Sequence, residues 1–300
     1  MKQQTALYWL VPMIAGLALL SASIGLFTPG SGTPISFTTV REETVEIWGQ
    51  GFYKFDTPIS ATGFTAADLI TLALAIPILI ISTFMYRRGS LKGGLLLTGA
   101  LSYFLYNYLS MGFGAAYNNL FLAYILIFSA SLYGLILALL SFDLKTFPAR
   151  FRAGLPRRGI GVFLIASGVI LSLIWLVLSI VPALLASKAP PEAYYYTTFI
   201  TGIIDIGIIA PALILGGVLI RRGTPFGYLL ASTLLIFTCI LGANLTAGGM
   251  VQVAKEVITI GQAMAFTVPF VILTLIAIWF TVVLFRNFSE DSRSSRRSNA

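Results

Sequence analysis

Residues 67–92 read ADLITLALAIPILIISTFMYRRGSLK. After Asp68 no charged side chain occurs until Arg87, and the run stops on Arg87-Arg88-Gly89. An apolar stretch of this length suffices for an α-helix to cross a hydrocarbon core of about 30 Å. A strand of a membrane barrel would instead alternate polar and apolar residues over about ten positions. In lipid the backbone must satisfy its own hydrogen bonds, which leaves the helix. Outward from this stretch the pattern recurs. Spans are expected at 6–27, 67–85, 93–113, 120–140, 159–185, 199–220, 227–246 and 264–285. The expected fold is all-α: a polytopic transmembrane bundle of about eight helices, forming one membrane domain over residues 1–300.

Composition agrees. The chain is 57% hydrophobic and 10% charged, whereas a soluble domain needs roughly 25% charged residues to solvate its surface. The net charge of +8 does not indicate a nucleic-acid partner, because the charges flank apolar spans. With the N-terminus inside, the inner segments carry fifteen lysines and arginines, among them Arg87, Arg88, Arg157, Arg158, Arg221 and Arg222. The outer segments carry four: Arg41, Lys54, Lys188 and Lys255. This positive-inside asymmetry predicts that both termini are cytoplasmic; the expected location is the plasma membrane. The absence of histidine removes His-ligated haem, His-based zinc and Ser-His or Cys-His catalysis. Cys239 is the only cysteine, so no intrachain disulfide can form. No cofactor is implied, no Walker loop or nucleophile elbow is present, and an enzyme is the least favoured reading.

The first span, from Ala6 to Leu26, is longer than the ~7–15-residue core of a secretory signal and is read as a retained helix. The largest outer segment runs from Thr28 to Ala66 and contains the aromatic stretch Trp48–Asp56. It is read as a connecting loop with an aromatic belt, a binding lid being the alternative, with room for a short hairpin or an interfacial helix. Residues 289–300 are Ser/Arg-rich and are expected to form a disordered cytoplasmic tail. A repeat is also legible. Pro77 precedes Arg87-Arg88-Gly89-Ser90 by the same distance that Pro211 precedes Arg221-Arg222-Gly223-Thr224. Thr62-Gly63 and Thr201-Gly202 each precede an aspartate, Asp68 and Asp205, and Gly94 matches Gly227 with a one-residue offset. Two parallel four-helix halves, 1–145 and 146–288, related by an axis along the membrane normal, account for this spacing.

The segments Trp48–Tyr53, Asp68–Leu72, Tyr103–Tyr108, Phe113–Asn118 and Leu120-Phe121 resemble a family of uncharacterised prokaryotic multi-pass membrane proteins. Asp205-Ile206-Gly207, Pro211 and Arg221–Tyr228 resemble the same family. The resemblance covers Glu46 to about Leu241 and implies a multi-pass topology without an established activity.

An ionisable group at membrane depth is costly and requires a partner or a purpose. Asp205 lies inside its span and is a candidate proton, cation or amine site, or else a hydrogen-bonded structural acid. Asp68 opens its span and reads as a helix-capping acid. Tyr103, Tyr106, Asn107 and Ser110 share one helical face, continuing to Tyr117 and Asn118, and such a stripe must turn toward protein or a cavity. Asn244 is a further polar group in the seventh span. The candidate ligand-binding set is therefore Asp205, Tyr103, Tyr106, Asn107, Tyr117, Asn118 and Asn244. The expected function is binding or transport of a small amphipathic, lipid or cationic ligand from the outer side. The alternative is a non-catalytic scaffold, sensor or complex subunit that meets membrane-protein partners or its own copies.

Overall fold

The computed structural model describes residues 4–196 and 198–289. All but the first residue of the expected tail therefore lie outside the described residues. Eight long helical rods form the bundle: α1 (Leu7–Phe27), α2 (Pro58–Arg87), α3 (Leu91–Gly114), α4 (Phe121–Leu140), α5 (Arg157–Leu185), α6 (Ile200–Arg221), α7 (Pro225–Ala254) and α8 (Ile260–Arg286). All but α3 are long and apolar enough to cross a membrane. The exception has a reason: α3 carries the tyrosine stripe, and protein surrounds it. Tyr103, Phe104, Asn107, Tyr108 and Met111 are all buried. The molecule is a multi-pass helical membrane protein, as its composition requires.

Two expected boundaries move. The second span begins nine residues earlier than read, at Pro58. Thr57 caps it by accepting Ser60 N–H at 3.1 Å, and proline occupies the first turn, where a missing N–H costs nothing. The threonines that made this stretch resemble a loop are absorbed by the helix. Thr62 and Thr65 donate back to the Pro58 and Ala61 carbonyls at 2.6 and 2.8 Å. The seventh span runs on to Ala254, eight residues past its expected end. Gln252 therefore continues α7, while Gln262 joins Thr259 in the capping box that starts α8. Between α1 and α2 the chain forms an antiparallel hairpin, β1 (Ile35–Thr38) with β2 (Thr44–Ile47), in the register Ile35 opposite Ile47.

The first four helices pack α1 on α2, α2 on α3, α3 on α4 and α4 back on α1. The last four pack α5 on α6, α6 on α7 and α7 on α8, and Phe163 meets Phe280 to bring α8 back to α5. The two sets join where α7 packs on both α2 and α3, with α3 also touching α6. The α5–α6 seam is close enough that a Cβ on Gly161 would stand 2.6 Å from the Gly217 carbonyl, as small residues permit in membrane helices. The core lies along α3 and α7. In α7 67% of the most apolar window is covered by protein, against 17% in α8, which presents Met264, Leu275 and Trp279 outward.

The arginine turns are built alike. Gly89 and Gly223 adopt φ of +81° and +71°, where side chains are strained. Ser90 and Thr224 then accept from the N–H of Gly93 and Gly227 at 3.0 and 3.2 Å. The glycine equivalent to Gly227 is therefore Gly93, with no offset, and not Gly94.

Three helices widen into a π-turn just ahead of a proline. Thr71–Ala75 precedes Pro77, Leu176–Ile180 precedes Pro182, and Asp205–Ile209 precedes Pro211. In each the residue before the proline bonds back five positions: Ile76 to Thr71, Val181 to Leu176, and Ala210 to Asp205. Proline has no amide to give and crowds the carbonyl four residues back, and a wider turn relieves both. Pro12 and Pro269 lie inside α1 and α8 without a π-turn, so proline alone does not impose one.

Candidate functional site

Among the described residues three aspartates are buried: Asp56, Asp68 and Asp205, at 1%, 0% and 6% exposure. Each is held by aromatic donors. All three lie toward the end of the bundle that carries the hairpin, opposite the arginine turns.

Asp205 is the first residue of its π-turn. One carboxylate oxygen accepts from Tyr106 OH of α3 at 3.0 Å, and the other accepts from Trp175 Nε1 of α5 at 2.8 Å. Tyr106 leans edge-on to Phe237 of α7 at 5.8 Å, and Trp175 likewise to Phe199 at 4.9 Å. The acid thus ties α3, α5 and α6 at the seam between the two sets of helices. In the π-turn of α2 the corresponding first residue is Thr71, whose hydroxyl lies 3.5 Å from Tyr103 OH. The proline register therefore pairs Asp205 with Thr71 and not with Asp68, which departs from the sequence pairing. These two turns each deliver a polar side chain to a tyrosine of α3, whereas the π-turn of α5 starts on Leu176.

Asp68 is not a capping residue. The earlier start of α2 carries it three turns into the helix and out of reach of the N-terminus, whose cap is Thr57. One carboxylate oxygen accepts from Tyr53 OH at 2.7 Å, and the other is buried without a partner. Tyr103, Tyr108 and Tyr124 stand close enough to feel its charge. Gly25 of α1 forms the remaining wall: a Cβ there would fall 2.0 Å from the Asp68 oxygen and 2.7 Å from Tyr53 OH. The buried hydroxyls of Ser21, Tyr108 and Tyr124 and the Asn107 amide nitrogen also lack partners. Ser21 faces Tyr108, and Tyr124 faces Tyr53 and Asn118, without closing hydrogen bonds.

Asp56 precedes α2 and works differently. It accepts from the Ala116 N–H at 2.7 Å and from Tyr196 OH at 2.9 Å, so it clamps the α5–α6 connection onto the α3–α4 turn. Tyr195 donates to the Phe55 carbonyl, and Arg41 of the hairpin loop donates to the carbonyls of Tyr194 and Tyr196. Burial lifts the Asp56 carboxyl to about 7, against the pull of its two donors. Burial, then Asp56 itself, pushes the Tyr196 hydroxyl up.

The sequence-derived set divides. Tyr106 and Asp205 meet as the stripe suggested. Tyr103 turns to the Asp68 side, and Asn107, one turn further along α3, is buried with its amide nitrogen unpartnered. Asn118 closes its own turn, accepting from Leu120 N–H at 2.9 Å and donating to the Ala116 carbonyl at 3.0 Å, with its side chain at the rim of the Asp68 cluster. Tyr117 is 80% exposed against Phe121 and belongs to neither group. Asn244 is half-buried on α7, two turns beyond Phe237. Sequence reasoning passed over Tyr53, Trp175, Tyr108, Tyr124 and Tyr196. The clustering of aromatics in Trp48–Asp56 and Tyr194–Tyr196 is the available signal; the first is read above as an interfacial belt and the second carries no reading there. The two best-formed surface concavities lie elsewhere. One is at the α7–α8 turn around Glu256 and Thr259, the other among Arg158, Arg221 and Arg222. No group of three or more histidine, cysteine, aspartate or glutamate side chains occurs among the described residues.

Helix count, apolar surface and buried acids together define a polytopic membrane protein with a polar interior toward one end. Comparison with protein-family models, curated proteins and solved structures finds no match to this chain.

Proposed function

We propose that the protein is a plasma-membrane carrier or receptor for a small cationic or amphipathic solute, engaged from the outer side at the seam where Asp205 meets Tyr106 and Trp175. The observation that carries this reading is the convergence of an acid, a phenol and an indole on a π-turn. π-turns recur at functional sites, and helices interrupted at membrane depth are a common way for carriers to build a binding site. A cation would gain from the single carboxylate and from the aromatic faces around it. The charge asymmetry supports an orientation in which the hairpin end faces outward and the arginine turns face the cytoplasm. The recurrence of helix neighbours, arginine turns and π-turns supports a duplicated four-helix unit, whose halves could rock about α3 and α7.

A second reading has its own observation. Both Asp205 oxygens are already occupied by donors, as a purely structural tie would require. The test is Asp205→Asn in purified full-length protein, assayed by native mass spectrometry against a panel of primary amines and quaternary ammonium ions. A carrier or receptor retains its fold and loses binding of the retained cation at least tenfold. If no member of the panel binds wild type, or if the variant merely unfolds, the scaffold reading replaces this one.

A further inference from the structure

The Asp68 cluster is separate from the Asp205 seam and is built differently. Asp68 sits at 0% exposure with one oxygen committed to Tyr53 and the other unpartnered. Around it, the hydroxyls of Ser21 on α1, Tyr108 on α3 and Tyr124 on α4 are buried and also unpartnered. These groups come from all four helices of the first set. Buried polar groups in native proteins are nearly always satisfied by protein, ordered water or a bound species. Three such hydroxyls around one carboxylate with an oxygen of its own unpartnered point to a common partner.

We propose that this cluster is a binding site for one monovalent inorganic cation of about the size of sodium. Three features fix the class. The first is charge: a single carboxylate at membrane depth is neutralised by one positive charge, and a divalent ion would leave an excess. The second is donor chemistry: one carboxylate oxygen and three neutral hydroxyl oxygens are hard ligands, suited to an alkali cation and poorly suited to soft metals. The third is space. Tyr108 packs 6.1 Å from Tyr124 and 6.2 Å from Phe104, Tyr53 packs 5.4 Å from Phe64, and Gly25 leaves no clearance at Asp68. Packing this close leaves no place for the substituents of an organic ammonium, which restricts the site to a bare ion. Because the site draws on α1, α2, α3 and α4 together, occupancy would brace the first set of helices. It does not depend on what the Asp205 seam binds.

The test is the thermal stability of purified full-length protein in detergent. Sodium chloride is titrated against N-methyl-D-glucamine chloride at constant ionic strength and pH, with potassium and lithium as parallel arms. Wild type should gain several degrees, saturably, in sodium, since a ligand that binds only the folded state stabilises it by mass action. Asp68→Asn should abolish the gain, and Asp205→Asn should keep it. If Asp68→Asn fails to fold, Ser21→Ala and Tyr124→Phe serve instead, each expected to raise the half-saturating sodium concentration about fivefold or more. Equal stability in sodium and the organic cation, with a pH titration that Asp68→Asn removes, would mean that Asp68 takes a proton alone, and the proposal falls. It falls equally if sodium stabilises wild type and all three cluster variants to the same extent.

Discussion

Asp68 and Asp205 are both aspartates of a helix containing a π-turn, both buried, and both bonded to tyrosine, yet they solve the problem of a buried charge in opposite ways. Asp205 has a donor for each oxygen and sits where three helices meet. Asp68 has one donor and is enclosed by hydroxyls that have none. The first arrangement spends its hydrogen-bonding capacity on holding the protein together. The second keeps capacity in reserve, which makes Asp68 the acid more ready to accept something from outside the chain. Burial and helix position do not separate the two; only the partners do.

The largest effect should come from the wall of the tighter site. Gly25→Ala places a methyl group 2.0 Å from the Asp68 oxygen. Overpacking of this kind costs about 3 kcal/mol. Gly207, two residues past Asp205, has nothing within 4 Å of an added Cβ. Gly207→Ala should therefore leave unfolding unchanged or slightly delayed. Thermal unfolding followed by size exclusion checks both. Equal losses at the two glycines would erase the distinction between a closed and an open acid.

Removal of donors should give the next effect. Tyr53→Phe strips Asp68 of its only hydrogen bond and should cost about 2 kcal/mol, whereas Trp175→Phe leaves Asp205 with Tyr106 and should cost about 1 kcal/mol. If added sodium restores Tyr53→Phe but not Trp175→Phe, the reserve at Asp68 is real. The reverse order of losses would mean that Asp205 is the less supported acid.

A pH effect concerns Asp56, the acid outside the spans. Its carboxyl titrates near 7 when clamped and near 3.8 when free. The clamped state therefore binds the proton more tightly. Its stabilisation is full in acid, below the free value, and is lost as pH rises through about 7. Between pH 6 and 8 the clamp should weaken by roughly 1.4 kcal/mol. Amide exchange at Ala116 and around Tyr196 would report this as faster opening at pH 8, and Asp56→Asn should flatten the dependence. Exchange that slows with rising pH, after correction for intrinsic rates, would reverse the sign.

Much of the architecture was legible because lipid imposes length and charge rules on sequence. The spans and the inward stripe of α3 follow from periodicity and apolar run length. The start of α2 was not legible. Thr62, Gly63 and Thr65 are weak helix formers in isolation, and nothing local reveals that the two hydroxyls bond back to their own helix. That one boundary displaced Asp68 from the interior to the surface in the reading. The partners Trp175, Tyr53 and Tyr196 were hidden for another reason: each acts across 15 to 140 residues of chain, and a single sequence carries no signal of pairing at that distance.

The π-turns have one more consequence, which concerns phase. An α-helix advances about 100° per residue, so a turn that accommodates one extra residue rotates everything before it relative to everything after. The segment Asp205–Ile209 acts as such a phase shift. At its start the helix presents Ile204 and Asp205 to the core, and beyond it Ala210 and Leu213. Closing the turn into plain α-helix with no residue removed would keep α6 helical and apolar, and invisible to any test of hydropathy. It would nevertheless swing one half of the rod by about a quarter of a turn and point the acid away from Tyr106. Position along these helices is thus set by counting as much as by chemistry.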